Sequence, residues 1–86
     1  MDQSNTNQHF WLNGQFVSTE TYLERVRAAR ERTERLKLTK TWIARKVSRS
    51  RPHVSSVLNG RDRGPNTLLL IEQLIDQVEA GEVSPR

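Results

Sequence analysis

The chain has no cysteine, which excludes disulfides and thiolate metal centres alike. Its only histidines, His9 and His53, lie far apart, and a zinc site needs several ligands gathered at one point; no metal is expected. Nothing in the sequence pairs carboxylates, sets a nucleophile beside a base, or forms a glycine-rich phosphate loop. An enzyme, a cofactor and a small-molecule ligand are therefore not expected. Long apolar runs are missing too: Phe10-Trp11-Leu12 is too short for a secretion signal's core, and nothing approaches a membrane span. That points to a cytoplasmic protein away from membranes. With 86 residues, the chain makes one domain whose core is near the lower limit for independent folding. Dimerisation is a natural way to add buried surface.

What the sequence does have is positive charge, unevenly placed. The net charge is +4, but residues 24–63 hold thirteen of the fourteen Lys and Arg against four acids, a local balance of +9. The flanking stretches contribute −2 and −3. A basic block of this kind is the electrostatic footprint of a polyanion binder. An Arg/Glu helix face turned to solvent is the plainer reading, and RNA or an acidic membrane surface would be attracted as well.

The organisation follows from caps and periodicity. Residues 1–9 are polar and aperiodic, which predicts a flexible start. In Phe10-Trp11-Leu12-Asn13-Gly14-Gln15-Phe16-Val17, Asn-Gly between two short apolar runs predicts a β-hairpin over 10–17, because a type I′ turn needs positive φ at both central residues. Ser18 or Thr19 caps a first helix, about 19–36, with Tyr22, Val26, Ala29, Thr33 and Leu36 as its apolar stripe. Arg27–Glu31, Arg30–Glu34 and Glu31–Arg35 have the spacing of ion pairs along that helix. Thr39 caps a second helix over 40–47. Ser50 caps a third, with Pro52 in the first turn where a missing N–H costs nothing, and Gly60 ends it in the left-handed conformation. Arg61 to Pro65 read as a basic loop, and Asn66 or Thr67 opens a last helix that Gly81 ends. Residues 82–86 read as flexible, so the folded domain is 18–81. Leu70 and Leu74 lie on a different flank of the last helix from Ile71 and Val78, a surplus that suggests a partner surface.

Residues 38–60 carry the functional signal. Ala44 lets two short helices cross closely, and Ile43, Val47, Val54 and Val57 are spaced to close a small core between them. Arg51, Pro52, Ser55 and Ser56 then face outward together. A helix with such a face fits the DNA major groove with its N-terminal residues nearest the bases.

Leu38-Thr39, Ile43-Ala44, Ser50, Val54-Ser55 and Asn59-Gly60, followed by Pro65 and an apolar helix, resemble the helix-turn-helix family of phage repressor and Cro proteins over roughly residues 22–80. The resemblance implies an all-α, compact four-helix, lambda-repressor-like domain, here with an additional N-terminal β-hairpin. It also implies roles. Arg51, Pro52 and Ser56, with Ser55 beside them, fall at base-contacting places of the recognition helix. Lys40 matches a phosphate contact at the start of the second helix, beside its cap Thr39. Asn59, Arg61, Arg63 and Asn66 match the loop and helix start that grip the backbone, and His53 is expected at the groove edge or on the capped first turn. Arg51 is the expected bidentate reader of guanine, with a phosphate contact as the plainer alternative. Ser55 and Ser56 could serve only as small residues that let the backbone approach. Trp42 stands where the family is usually polar and is expected to pack on the first helix or the hairpin. Arg25, Arg27, Arg30 and Arg32 either extend the phosphate footprint or form a solvated face.

This chain departs from the pattern in having Ser48 at the turn, where the family usually has glycine. Either Ser48 bears a positive φ at some cost, or the turn differs. Pro52 replaces a residue that commonly hydrogen-bonds, and the further short helix that often follows the fourth is missing. The expectation is a dimeric, sequence-specific double-stranded DNA-binding regulator of bacterial or phage origin, a repressor associated with the nucleoid. The alternative is an antitoxin or adaptor that uses the same fold to bind protein.

Overall fold

The computed structural model describes the backbone of residues 9–12 and 15–84 and the side chains of residues 18–84. It is a mostly helical domain of four helices: α1 (Thr19–Arg35), α2 (Lys40–Val47), α3 (Arg51–Leu58) and α4 (Pro65–Glu79). Ahead of them the backbone runs as two antiparallel strands, β1 (His9–Leu12) and β2 (Gln15–Ser18), with Phe10 opposite Val17 and Trp11 opposite Phe16. The expected Asn13-Gly14 turn, the apolar side chains of the hairpin, and the flexible start and final two residues lie outside the described residues.

Three of the four helices start on the expected hydroxyl caps. Ser18 accepts from the Thr21 N–H, Thr39 from Trp42 and Ser50 from His53, at 3.1, 3.1 and 3.2 Å. Each oxygen satisfies one of the donors that a helix N-terminus leaves without an intrahelical partner. The fourth start corrects the sequence reading. α4 begins at Pro65 with Gly64 as its N-cap and no side-chain cap bond, not at Asn66 or Thr67. Pro65 supplies the preset φ of a first helical residue, and the Thr67 hydroxyl is engaged elsewhere.

Helix ends follow one hydrogen-bonding scheme used three times. After α3, the Gly60 N–H bonds the Val57 carbonyl and the Arg61 N–H bonds that of Ser56, which is the double bond of a Schellman end. Gly81 and Glu82 close α4 the same way, onto Val78 and Gln77. Glu82 is therefore tied back to the helix, and the half-buried Val83 packs on the edge of the core, so order continues past 81. α1 uses the scheme without glycine: Lys37, at φ 59°, occupies the left-handed position. Ser48 at the end of α2 is also left-handed, φ 59° and ψ 45°. The turn keeps the geometry for which glycine is the usual residue, and Ser48 bears the strain.

One core joins all four helices. Tyr22, Val26 and Ala29 of α1, Ile43, Ala44 and Val47 of α2, Val54, Val57 and Leu58 of α3, and Leu68, Ile71, Leu74 and Ile75 of α4 are buried together, with Leu38 between. Leu74 thus belongs to the core rather than to a surplus face, while Leu69, Leu70 and Val78 stay half-buried at its margin. Trp42 is also half-buried against the core, with the Lys46 ammonium 5.7 Å from its ring centre. Among the described residues, no helix is long and apolar enough to cross a membrane.

The α3–α4 loop is held to α1 by a buried phenol. The Gly64 N–H donates to Tyr22 Oη at 2.8 Å, and Tyr22 is fully buried. Burial holds the phenol protonated, raising its pKa above 10.0 against smaller opposing effects from the Gly64 bond and the nearby Arg63. Gly64 itself has no room for a side chain, since a Cβ there would stand 2.8 Å from Val57 Cγ2.

Candidate nucleic-acid interface

α3 is amphipathic over only eight residues, and its two sides are sharply different. Val54, Val57 and Leu58 are buried, while Arg51 and Pro52 are exposed and Ser55 and Ser56 are half-exposed. Asn59, one turn beyond Ser55, prolongs the outward strip; its Nδ2 donates weakly to Ser55 Oγ at 3.4 Å. The strip is narrow and built of short side chains, apart from Arg51 at its N-terminal end. Among the described residues Arg51 makes no ion pair, so its forked donors are available to an acceptor outside the protein.

Around this strip the other sequence-predicted residues divide by what already occupies them. Lys40 opens α2, half-exposed and with no carboxylate partner among the described residues. The exposed Thr39 hydroxyl caps α2 by accepting the Trp42 N–H and keeps its own O–H to donate. His53 lies half-buried beneath the strip, its Nε2 2.9 Å from Thr67 Oγ1, so one ring nitrogen is committed to joining α3 to α4. Arg61 and Asn66 are exposed. Arg63 is exposed too, but its Nη1 donates to the Gly60 carbonyl at 2.9 Å and its guanidinium stands 5.9 Å from the centre of the Tyr22 ring. The structure therefore brings Arg51, Pro52, Ser55, Ser56 and Asn59 onto one strip and leaves Thr39 and His53 in internal bonds.

Arg49, given no role by the sequence reading, folds back onto the end of α2. Its Nη1 donates to the carbonyl of Ser48 at 3.2 Å and, at 3.4 Å, to that of Val47. Positive charge there complements the negative end of the helix dipole.

The arginines of α1 separate into two groups. At about 100° per residue, Arg25, Arg32 and Arg35 fall on one flank of the buried stripe, and Arg27 and Arg30 on the other. The first flank faces the acids of α4. Arg25 pairs with Glu72 through two bonds, one of them Nε to Oε2 at 3.1 Å. Arg32 Nη2 reaches Asp76 at 2.7 Å and Glu79 at 2.6 Å, and Arg35 stands 3.9 Å from Glu79. Hydrogen bonds to these carboxylates raise the Arg25 and Arg32 pKa values further above the normal guanidinium range. Among the described residues, the pairs expected along α1 do not form; the ion pairs run between helices instead.

On the second flank, Arg27 and Arg30 have no carboxylate partner among the described residues. With Leu23, Val26, Asn59 and Gly60 they line a shallow groove of about 300 Å³ between α1 and the end of α3. The groove was not visible from spacing in the sequence, because its two walls are about thirty residues apart. No family model, curated protein or solved structure matches the chain.

Proposed function

We propose that the chain is a sequence-specific double-stranded DNA-binding regulator that lays α3 in the major groove. The observation that carries this reading is the outward strip of α3, with Arg51, in no ion pair among the described residues, at its leading end and short side chains behind it. Short side chains let a helix approach the floor of a groove closely, and an Arg at its N-terminal end is placed to bond guanine O6 and N7. Lys40 and Arg61 flank the strip as phosphate contacts, and Asn59, Arg63 and Asn66 follow them. The resemblance of residues 22–80 to phage repressor and Cro proteins supports the same assignment. Pairing of Arg25 and Arg32 with the acids of α4 leaves Arg51, Lys40, Arg27 and Arg30 as cations with no ion pair among the described residues.

In this proposal the protein acts as a homodimer in which the strands of residues 9–18 close into a hairpin, and it represses by occupying an operator on the nucleoid. Two-fold pairing sets the two copies of α3 about 34 Å apart, one turn of duplex. Titration of random and selected duplexes tests the reading. Arg51→Ala should cost about 1–3 kcal/mol on the selected site and less on random DNA, whereas Lys40→Ala should weaken both by similar factors. Equal losses from Arg51→Ala on both duplexes would make Arg51 a phosphate contact. Absence of any salt-dependent duplex binding would favour the adaptor reading.

A further inference from the structure

Resting on that duplex-binding reading, we propose that the groove between α1 and the end of α3 is a second phosphate seat. Arg27 and Arg30 would grip the DNA backbone there, beyond the reach of the α3 strip.

Three observations converge on it. First, the five arginines of α1 are not equivalent: Arg25 and Arg32 are hydrogen-bonded to Glu72, Asp76 and Glu79, Arg35 stands 3.9 Å from Glu79, and only Arg27 and Arg30 lack an acidic partner among the described residues. Side chains three apart on a helix are neighbours, and like charges at that spacing repel. An anion between them removes the repulsion, and planar guanidinium forks match phosphate oxygens. Second, Asn59 belongs to both the outward strip of α3 and the wall of the groove. A backbone leaving the C-terminal end of α3 therefore meets the groove without crossing an intervening element. Third, the groove has a direction. Beyond Arg27 it continues into a hollow of about 290 Å³ lined by Glu20, Leu23, Glu24 and Arg27. The two carboxylates turn a polyanion away, so the seat opens toward Asn59 and closes toward the start of α1.

The floor of the groove is apolar and well fixed. Val26 is buried, and Leu23 packs against the core from its margin.

The experiment is a salt series of duplex binding by the full chain, followed by fluorescence anisotropy on a labelled random duplex. Each phosphate contact contributes about 0.9 to the slope of log K against log salt. Arg27→Gln/Arg30→Gln should flatten the slope by about 1.8, a loss of about 60-fold near 0.1 M salt if the other contacts are unchanged. Neither side chain makes an ion pair among the described residues, so the thermal transition should be retained. Should the double variant not fold, Arg27→Gln alone should flatten the slope by about 0.9. An unchanged slope, with Lys40→Gln still reducing it, would overturn the seat and leave duplex binding intact. An unchanged slope accompanied by loss of the dimer would give the groove to a second copy of the chain, which also overturns it. No salt-dependent binding by the unaltered protein would remove both readings together.

Discussion

Replacing Gly64 by alanine adds one methyl group at a point where two fixed elements meet. The new Cβ would stand 2.8 Å from Val57 Cγ2 and 3.6 Å from the edge of the His53 ring. Neither side can yield easily. Val57 is fully buried, and a β-branched residue in a helix has one strongly preferred rotamer. Gly64 is tied through its N–H to Tyr22 Oη, and through its carbonyl to the Leu68 N–H, both at 2.8 Å. Its φ is −134°, which alanine can adopt, so the penalty comes from contact and not from backbone handedness. Overpacking typically costs about 1–3 kcal/mol. The smaller entropy of an unfolded chain bearing alanine returns about 0.4–1 kcal/mol. The net expectation is a loss of about 1–2 kcal/mol, or about 4–16 °C in melting temperature for a domain of this size. Equilibrium urea unfolding with an unchanged m-value measures it. The specific claim is that Val57 is the obstacle. Val57→Ala alone should cost about 1.5–3 kcal/mol, but in that background Gly64→Ala should be nearly neutral, a coupling of about 1–2 kcal/mol. Equal costs of Gly64→Ala in both backgrounds would refute the close-contact argument.

Three further perturbations test other parts of the structure. Tyr22 is the only tyrosine, and its folded pKa is raised above the unfolded 10.0. Its contribution to stability is full below pH 10 and falls as pH rises beyond that, because the unfolded state releases the proton first. Tyr22→Phe should flatten this alkaline decline, and near neutrality it should cost about 1–3 kcal/mol by leaving the Gly64 N–H without an acceptor; an unaltered pH profile would contradict it. Ser48→Gly should stabilise by about 0.5–1 kcal/mol, since relief of the left-handed strain exceeds the added chain entropy, and a lower urea midpoint would count against that. Removing residues 1–17 should convert a dimer to a monomer in light scattering with the helical spectrum retained, whereas an unchanged dimer would place the interface on helical surface such as Leu70.

Local chemistry carried the sequence reading a long way. Ser18, Thr39 and Ser50 were legible as caps because a hydroxyl just before a periodic run has few other uses, and Gly60 and Gly81 marked their helix ends through the conformation they permit. Ile43, Val47, Val54 and Val57 were legible as core because their spacing closes on itself within one turn of chain. Lys37 was not, because nothing about a lysine advertises a left-handed backbone. The start of α4 was missed for a different reason: two competent capping residues, Asn66 and Thr67, follow a glycine, and only tertiary contact with His53 commits the Thr67 hydroxyl elsewhere. For the candidate site, the α3 strip followed from helical spacing. The fates of the α1 arginines did not, because the acids that pair with Arg25 and Arg32 lie more than forty residues away, while nearer acids stand at an equally acceptable spacing along the helix.

The seam between α1 and α4 has a consequence for how the molecule meets a partner in solution. Cations and anions closed on one another there contribute little field beyond a Debye length, about 10 Å at 0.1 M salt. Lys40, Arg51, Arg27 and Arg30, which make no ion pair among the described residues, stand outside that seam, so the charge the protein presents to a partner is uneven over its surface. A polyanion at a distance then exerts a torque as well as a pull, turning the tumbling molecule before the surfaces touch. Fewer collisions are wasted in the wrong orientation, a gain in association rate that added salt should abolish. Reversing Glu72, Asp76 and Glu79 to lysine would make α4 attractive too: affinity for any polyanion would rise, while the bias toward one orientation of approach would weaken.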